Sequence, residues 1–284
     1  MSDAATTEQP TTEQPTAGEP SEARRWTPWR VASDSGFEVA DPSGSVGIIQ
    51  IDDARFVVVH SFRHTNQHVE AYLVRELIDR GLGADAARAA VDAARTFTPR
   101  EDNPTDLASI PRFMRWFENP YGRHSLAALI HDELITEEVN GGALGSDTLA
   151  DRFFREMMRT SGVPCLKRWI MWAAVALRSR FVAGGFRRVS VVAWLLASVV
   201  GIACAVDALG AWLLDWPAPV AAGWLLAAAV ALPFLAAPLW GRQWGASLVS
   251  AVAALWLVPA AVVAGAGYVV YGVLERTARA VGLR

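Results

Sequence analysis

The chain contains little cysteine. Cys165 and Cys204 are the only two among 284 residues. They lie in regions of different composition, and their spacing fits neither a metal site nor a disulfide framework. Cys204 stands within an apolar run, where a thiol behaves as a small hydrophobic side chain. The cysteines therefore give no indication of an oxidising compartment.

Charge is almost absent from the last third of the sequence. The whole chain has 26 Lys and Arg and 29 Asp and Glu, but only four arginines and three acidic residues follow residue 188. Apolar runs cover residues 189–214, 217–240 and 246–272, and a bilayer crossing needs about 20 such residues. Tryptophans stand near the ends of these runs, as they do at membrane interfaces. We predict a region of three transmembrane helices over residues 189–284.

The chain also lacks a long basic tract, because its arginines alternate with acidic residues over the first two-thirds. This pattern argues against nucleic acid as a partner and leaves the lipid bilayer as the predicted one. Six lysines and arginines occur between residues 167 and 188, just before the first apolar run. The positive-inside rule then predicts an integral protein of the cytoplasmic membrane whose soluble domain faces the cytoplasm. Three C-terminal arginines, which would lie on the other side, oppose this orientation.

The N-terminal 25 residues lack an apolar core, so they do not resemble a signal peptide. They repeat TTEQP and are rich in Thr, Glu, Gln and Pro. A segment with so little to bury is expected to be a disordered low-complexity tail. The predicted soluble domain covers residues 26–181.

The pattern of this domain predicts an α+β fold, with a small β-hairpin or sheet and a helical part, followed by the three transmembrane helices. Two β-branched runs, residues 46–51 and 55–60, are separated by a short polar turn and predict the hairpin. Apolar periodicity predicts helices over residues 69–81, 84–95, 125–137, 148–160 and 166–181. The proline-bounded stretch 96–112 predicts a loop or a short extended segment.

The sequence LAALIHDELI places His131 and Asp132 in the middle of an apolar helix. Burying unpaired polar groups costs several kcal/mol, so we expect both side chains to have partners and Glu133 to face solvent. The nearest candidates are Asp151 on the following helix and residues of the proline-bounded loop, namely Thr105, Asp106, Ser109 and Arg112. The simplest interpretation is a structural hub in which these groups fix the loop to the helices.

Four blocks in this order, TDLASIPR, ALIHDEL, ADRFFREMMRTSGVP and KRWIMWAAVALR, resemble a phage- and prophage-associated domain of unknown function, family 1353. The resemblance covers about residues 46–181, and the helix pair at about 70–96 looks like an insertion. The family commonly has tyrosine where this chain has Ile135. The resemblance implies the fold and the domain limits, and it favours a membrane-anchored structural or interaction module.

Hydrolytic alternatives remain open at this point. The His-Asp pair resembles that of phospholipase A2-like enzymes, which implies His131 as a general base, Asp151 as its orienting partner, and Asp106 with Asp132 as ligands of a cation such as Ca²⁺. It is also similar to HD-type metal-dependent phosphohydrolases, in which His64 or His68 would join Asp151 at the metal. The sequence departs from the first pattern because it has no glycine-rich calcium loop and no disulfides, and from the second because Glu133 and Leu134 follow the pair.

Overall fold

A computed structural model describes residues 27–52, 55–99, 104–105, 122–135, 144–145, 147–214, 217 and 221–282. The predicted tail, residues 1–25, lies outside this set. Six short strands near the start of the described chain form two three-stranded antiparallel sheets, with strand orders β1-β3-β4 and β2-β5-β6. The strands are β1 Thr27–Arg30, β2 Phe37–Val39, β3 Ser45–Gln50, β4 Phe56–Val58, β5 Phe62–His64 and β6 Thr96–Phe97.

The predicted hairpin is confirmed. Strands β3 and β4 pair antiparallel, with Ile48 opposite Val58. Thr105 adds one further bridge, since its backbone N–H and C=O exchange hydrogen bonds with Phe56. Strands β1, β2 and β5 were not predicted, because runs of three or four residues are too short to show an alternating pattern. Strand β6 lies within residues 96–112, where a loop or a short extended segment was expected.

Two helices follow the strands, α1 Gln67–Asp79 and α2 Ala84–Ala94. The side chain of Asn66 caps α1 by accepting a hydrogen bond from the backbone N–H of Val69. The buried residues of α1 are Val69, Leu73 and Leu77, which recur every fourth position and form one stripe. That stripe packs α1 against α2 and joins both helices to the common core.

Three further helices complete the predicted soluble domain: α3 Ser125–Ile135, α4 Asp147–Thr160 and α5 Cys165–Val182. They confirm the predicted helices to within a few residues. Helix α4 lies between α3 and α5 and buries Phe153, Phe154 and Met157. The guanidinium of Arg155 stacks 4.6 Å from the ring of Trp169 and 4.7 Å from that of Trp172, which fastens α4 to α5.

The last third is helical: α6 Gly185–Leu213, α7 Ala222–Ala236, a 3-10 helix Ala237–Gln243, and α8 Trp244–Ala280. Three stretches are long and apolar enough to cross a membrane, namely Gly185–Leu213, Ala222–Ala254 and Leu257–Ala280, with mean hydropathies of 2.5, 1.9 and 1.9. The α+β class with three apolar C-terminal helices is therefore confirmed.

Helices α7 and α8 do not correspond one to one to the second and third apolar stretches. Helix α8 has 37 residues and is about 55 Å long, well beyond the roughly 30 Å of a bilayer core. Its first turns pack against α5 of the soluble domain. No residue of the apolar stretch Leu257–Ala280 is buried. The chain changes direction at Gly241, whose φ of 55° is one that glycine adopts readily.

Helices α6 and α7 form the tightest contact in the apolar region. At Gly201 the backbones approach so closely that a Cβ atom would lie 2.8 Å from the carbonyl oxygen of Ala229. At Gly265 in α8, by contrast, a Cβ would meet nothing within 4 Å.

We expect Gly201→Ala to destabilise the full chain by about 1–3 kcal/mol, because the backbones would have to separate. Gly265→Ala is the matched control, since it makes the same change in a helix with open space around it. The measurement is thermal unfolding of both variants in detergent. Equal melting temperatures for the two would contradict the close contact.

Candidate functional site

The centre of the candidate site is the carboxylate of Asp151 in α4, which is fully buried. Its Oδ1 accepts hydrogen bonds from His131 Nε2 at 2.9 Å and from Ser179 Oγ at 3.0 Å. Its Oδ2 accepts one from Gln243 Nε2 at 3.1 Å. These donors come from α3, α5 and the 3-10 helix, so one carboxylate joins three separate elements.

The structure thus brings His131 and Asp151 together at the distance that the sequence interpretation required. The imidazole of His131 is only 3% exposed, and its ring centre lies 5.0 Å from that of Phe154. The other ring nitrogen, Nδ1, lies 3.9 Å from Oδ1 of Asp132. Burial alone would lower the pKa of His131, but the hydrogen bond to Asp151 and the negative charges of Asp132 and Asp151 outweigh it, and the pKa of His131 is raised.

A second buried group continues the network towards the apolar helices. Gln243 donates to Asp151 with its nitrogen and accepts from Arg180 Nη1 at 3.3 Å with its oxygen. Arg180 also donates to the carbonyl of Trp240 at 2.9 Å and to Ser190 Oγ at 2.9 Å. A continuous chain of hydrogen bonds therefore runs from the soluble domain to the start of α6 and the segment between α7 and α8.

Two expectations about α3 were wrong. The side chain of Asp132 is 44% exposed, whereas Glu133, expected to face solvent, is 6% exposed. Helix α3 is enclosed on almost every side, since all its residues except Asp132 and Ile135 are buried. The face of α3 that carries Glu133, which the sequence pattern predicts to be exposed, is therefore buried inside the domain.

The proposed second half of the site falls mostly outside the described residues. Asp106, Ser109 and Arg112 lie there, so the contact predicted between their loop and α3 stays a prediction. Thr105 is described, and it pairs through its backbone with Phe56. Among the residues described, no group of three or more His, Cys, Asp or Glu could hold a metal ion.

The histidines suggested for an HD-type site lie elsewhere. His64 is fully buried and shares a 2.7 Å hydrogen bond with Thr160 Oγ1, nine residues or about 13 Å along α4 from Asp151. Burial, together with Arg95 and Arg159, lowers the pKa of His64 to about 4. His68 is exposed on α1. His64 and Asp151 are thus too far apart to share one metal ion.

Three members of the network were missed by the sequence interpretation: Ser179, Arg180 and Gln243. One feature of the sequence pointed to Gln243, because it is a polar residue between two apolar runs. In the structure Gln243 is 2% exposed. Arg180 resembled the neighbouring arginines of the basic stretch before α6, and nothing in the sequence distinguishes it from them.

A comparison with protein families matches residues 85–175 to the family described as "Protein of unknown function (DUF1353)". The match begins in α2 and ends in α5, so it includes both His131 and Asp151. It takes in nearly all of α2, which the sequence interpretation placed in an insertion, and it covers less than half of the chain. Searches of curated proteins and of solved structures find no match.

The chemistry open to this arrangement is that of a buried ion pair. An imidazolium between two carboxylates is stabilised by their charges, and Asp151 already accepts three hydrogen bonds of the roughly four that a carboxylate can take. Such an ion pair holds helices together. Its carboxylate, Asp151, could also polarise the His131 ring for catalysis if water or substrate reached that ring.

The raised pKa of His131 predicts how stability depends on pH. A histidine whose pKa is raised on folding stabilises the native state fully below its ordinary value of 6.5, and this contribution is lost as the pH rises through the raised value. We expect the melting temperature of the full chain in detergent to fall as the pH rises from 6.5 through the raised pKa of His131.

The variant His131→Gln should flatten this slope, because glutamine can still donate to Asp151 but does not titrate. His68→Gln, on an exposed histidine, is the control and should keep the wild-type slope. His64 acts in a different window: its lowered pKa costs stability only as the pH falls from 6.5 towards about 4. A wild-type slope in His131→Gln would refute the assignment.

Proposed function

We propose that the chain is a membrane-anchored protein whose soluble domain, of a phage-associated type, serves the cytoplasmic side as a structural or interaction module. The match to a family of unknown function and the three apolar helices support the architecture. In this proposal the pair His131–Asp151 is a structural joint that fixes the domain to its membrane helices.

The observation that carries the proposal is the enclosure of Asp151. Its carboxylate accepts from His131 and Ser179 of the soluble domain and from Gln243 between the apolar helices. No part of it is exposed. A carboxylate whose oxygens are already engaged from three directions has little capacity left for a metal ion or a substrate, but it is well placed to hold three elements in one arrangement.

One observation favours the hydrolytic alternative. A histidine 2.9 Å from a buried carboxylate is the arrangement in which an aspartate orients a general base. The base would use Nδ1 of the neutral ring, whereas the raised pKa of His131 favours the protonated ring. Asp132 beside Nδ1 is partly exposed. Against this alternative, His131 itself is 3% exposed and packs on Phe154, so a substrate would need a conformational opening to reach the ring.

The distribution of arginines supports the proposed orientation. Arg187 and Arg188 lie in the first turn of α6, and Arg242 lies between α7 and α8, close to Arg180 of the soluble domain. Arg276 and Arg279 lie near the other end of α8. More basic residues therefore accompany the domain than the opposite end, as a cytoplasmic domain requires.

The structural joint makes a measurable prediction about stability. Asp151→Ala should destabilise the full chain by about 3–5 kcal/mol, because it strands a buried imidazolium and two further donors. Gln243→Ala should cost less, and the two effects should not add, since both variants break the same hydrogen bond. Asp132→Ala, on a side chain that is 44% exposed, is the control and should cost clearly less. The measurement is thermal unfolding in detergent.

Two results would contradict the structural role. One is a melting temperature of Asp151→Ala equal to that of the control. The other is a wild-type protein that contains stoichiometric divalent metal and loses as much stability on chelation as Asp151→Ala does, which would move the assignment to the metal-dependent alternative.

Orientation is tested by cysteine labelling in a background of Cys165→Ser and Cys204→Ser. Ser33 is exposed on the soluble domain, and Pro217 is exposed between α6 and α7. In spheroplasts, Ser33→Cys should react only with a membrane-permeant reagent, whereas Pro217→Cys should also react with an impermeant one. The reverse pattern would place the domain on the outside.

A further inference from the structure

A cleft of about 410 Å³ lies where the soluble domain meets the apolar helices. Four arginines line it: Arg80 from α1, Arg180 from α5, Arg187 from α6 and Arg242 from the 3-10 helix. Among the described residues that line it there is no aspartate or glutamate. The cleft therefore concentrates positive charge contributed by both parts of the molecule.

Most of this charge has no ion-pair partner among the residues that the structure describes. Arg80 has a carboxylate nearby, since its Nη2 lies 3.5 Å from Oε2 of Glu76. Within the described part of the chain, Arg180, Arg187 and Arg242 form no ion pair. Arg187 and Arg242 are exposed. Three positive charges at the cleft are therefore unpaired within the described residues.

Arg180 is the most unusual of the three because it is only 9% exposed. Its hydrogen-bond partners among the described residues are all neutral: the carbonyls of Trp240 and Leu239, the amide oxygen of Gln243 and the hydroxyl of Ser190. Its Nε atom is buried with no partner in the described structure. Neutral acceptors satisfy N–H groups but do not cancel the charge, and a buried charge is costly unless it is paired.

Asp151 does not serve as that counterion. The amide of Gln243 separates it from Arg180, and Asp151 already faces His131. The raised pKa of His131 favours the protonated ring, whose charge balances Asp151 directly. Among the described residues no carboxylate pairs with Arg180, so its charge can accept an anion from outside the chain.

The cleft lies at one end of the first candidate membrane span, where a lipid headgroup would be located. Arg187 belongs to the first turn of the first candidate span, and the exposed side chains of Phe186 and Leu239 also line the cleft. An apolar rim beside a cluster of arginines matches a molecule with an acyl part and an anionic head. Guanidinium groups bind phosphate oxygens through paired, charge-assisted hydrogen bonds.

We propose that this cleft binds the phosphate of an anionic phospholipid at the cytoplasmic membrane surface, with Arg180, Arg187 and Arg242 as the anion-binding residues. The lipid would neutralise Arg180 and join the soluble domain to α6 and the 3-10 helix. The proposal rests on the proposed function in two respects, namely that the apolar helices lie in a bilayer and that the soluble domain faces the cytoplasm.

The test uses the full-length protein, purified and delipidated in detergent, with native mass spectrometry at constant ionic strength. Phosphatidylglycerol should bind at least about tenfold more tightly than phosphatidylcholine. The double variant Arg187→Gln/Arg242→Gln should weaken phosphatidylglycerol binding by about tenfold or more, a loss equivalent to about 1.4 kcal/mol, and leave phosphatidylcholine binding unchanged. Because both side chains are exposed, this variant is expected to fold, whereas Arg180→Gln alters a buried network.

The matched control is Arg178→Gln/Arg276→Gln, which removes the same charge from exposed arginines outside the cleft. It should bind phosphatidylglycerol as the wild type does. Equal losses in both double variants would reduce the effect to general electrostatics and overturn the proposal, as would an absence of preference between the two lipids. Inorganic phosphate binding as tightly as phosphatidylglycerol would show a site for soluble phosphate, which also overturns the lipid assignment.

Flotation with liposomes separates the two levels of failure. A protein that does not float with the lipid is not membrane-anchored, and the proposed function itself fails. A protein that inserts into neutral liposomes but binds phosphatidylglycerol no better than phosphatidylcholine retains the proposed function and loses only the lipid site.

Discussion

The structure depends most on the buried carboxylate of Asp151. Three donors from three elements converge on it, and one of these elements is the segment between the apolar helices. Because a buried carboxylate without its partners is costly, the relative placement of α3, α5 and the 3-10 helix is tied to a single side chain. The soluble domain and the apolar region are therefore coupled by specific hydrogen bonds as well as by apolar packing.

Arg180 extends this coupling. It lies in the soluble domain, yet it donates to the carbonyls of Trp240 and Leu239 and to the hydroxyl of Ser190 at the start of the apolar region. Burial and the nearby Arg187 lower the pKa of Arg180. The Asp151 and Arg180 charges lie at opposite ends of one glutamine amide, so removing Gln243 disconnects the two halves of the network.

The candidate site was partly predictable. His131 in an apolar helix required a partner, and Asp151 was a candidate because it lies on the next helix in the sequence. Their contact follows from that reasoning, although a catalytic role does not. The exposures of Asp132 and Glu133 could not be predicted, because helical periodicity separates two faces only when one of them meets solvent, and α3 is enclosed on nearly all sides.

The local sequence pattern determined the elements of secondary structure, which depend on neighbouring residues along the chain. The hairpin at β3 and β4, the helices of the soluble domain and the three apolar helices all follow from periodicity and composition. Tertiary structure decided what depends on distant residues. Gln243 reaches Asp151 from 92 positions away, and Arg180 reaches Trp240 from 60. The physical reason is that burial of a polar side chain is a property of the packed molecule: the sequence shows that an arginine or an aspartate is present, and only the fold determines which charges are enclosed and which groups surround them.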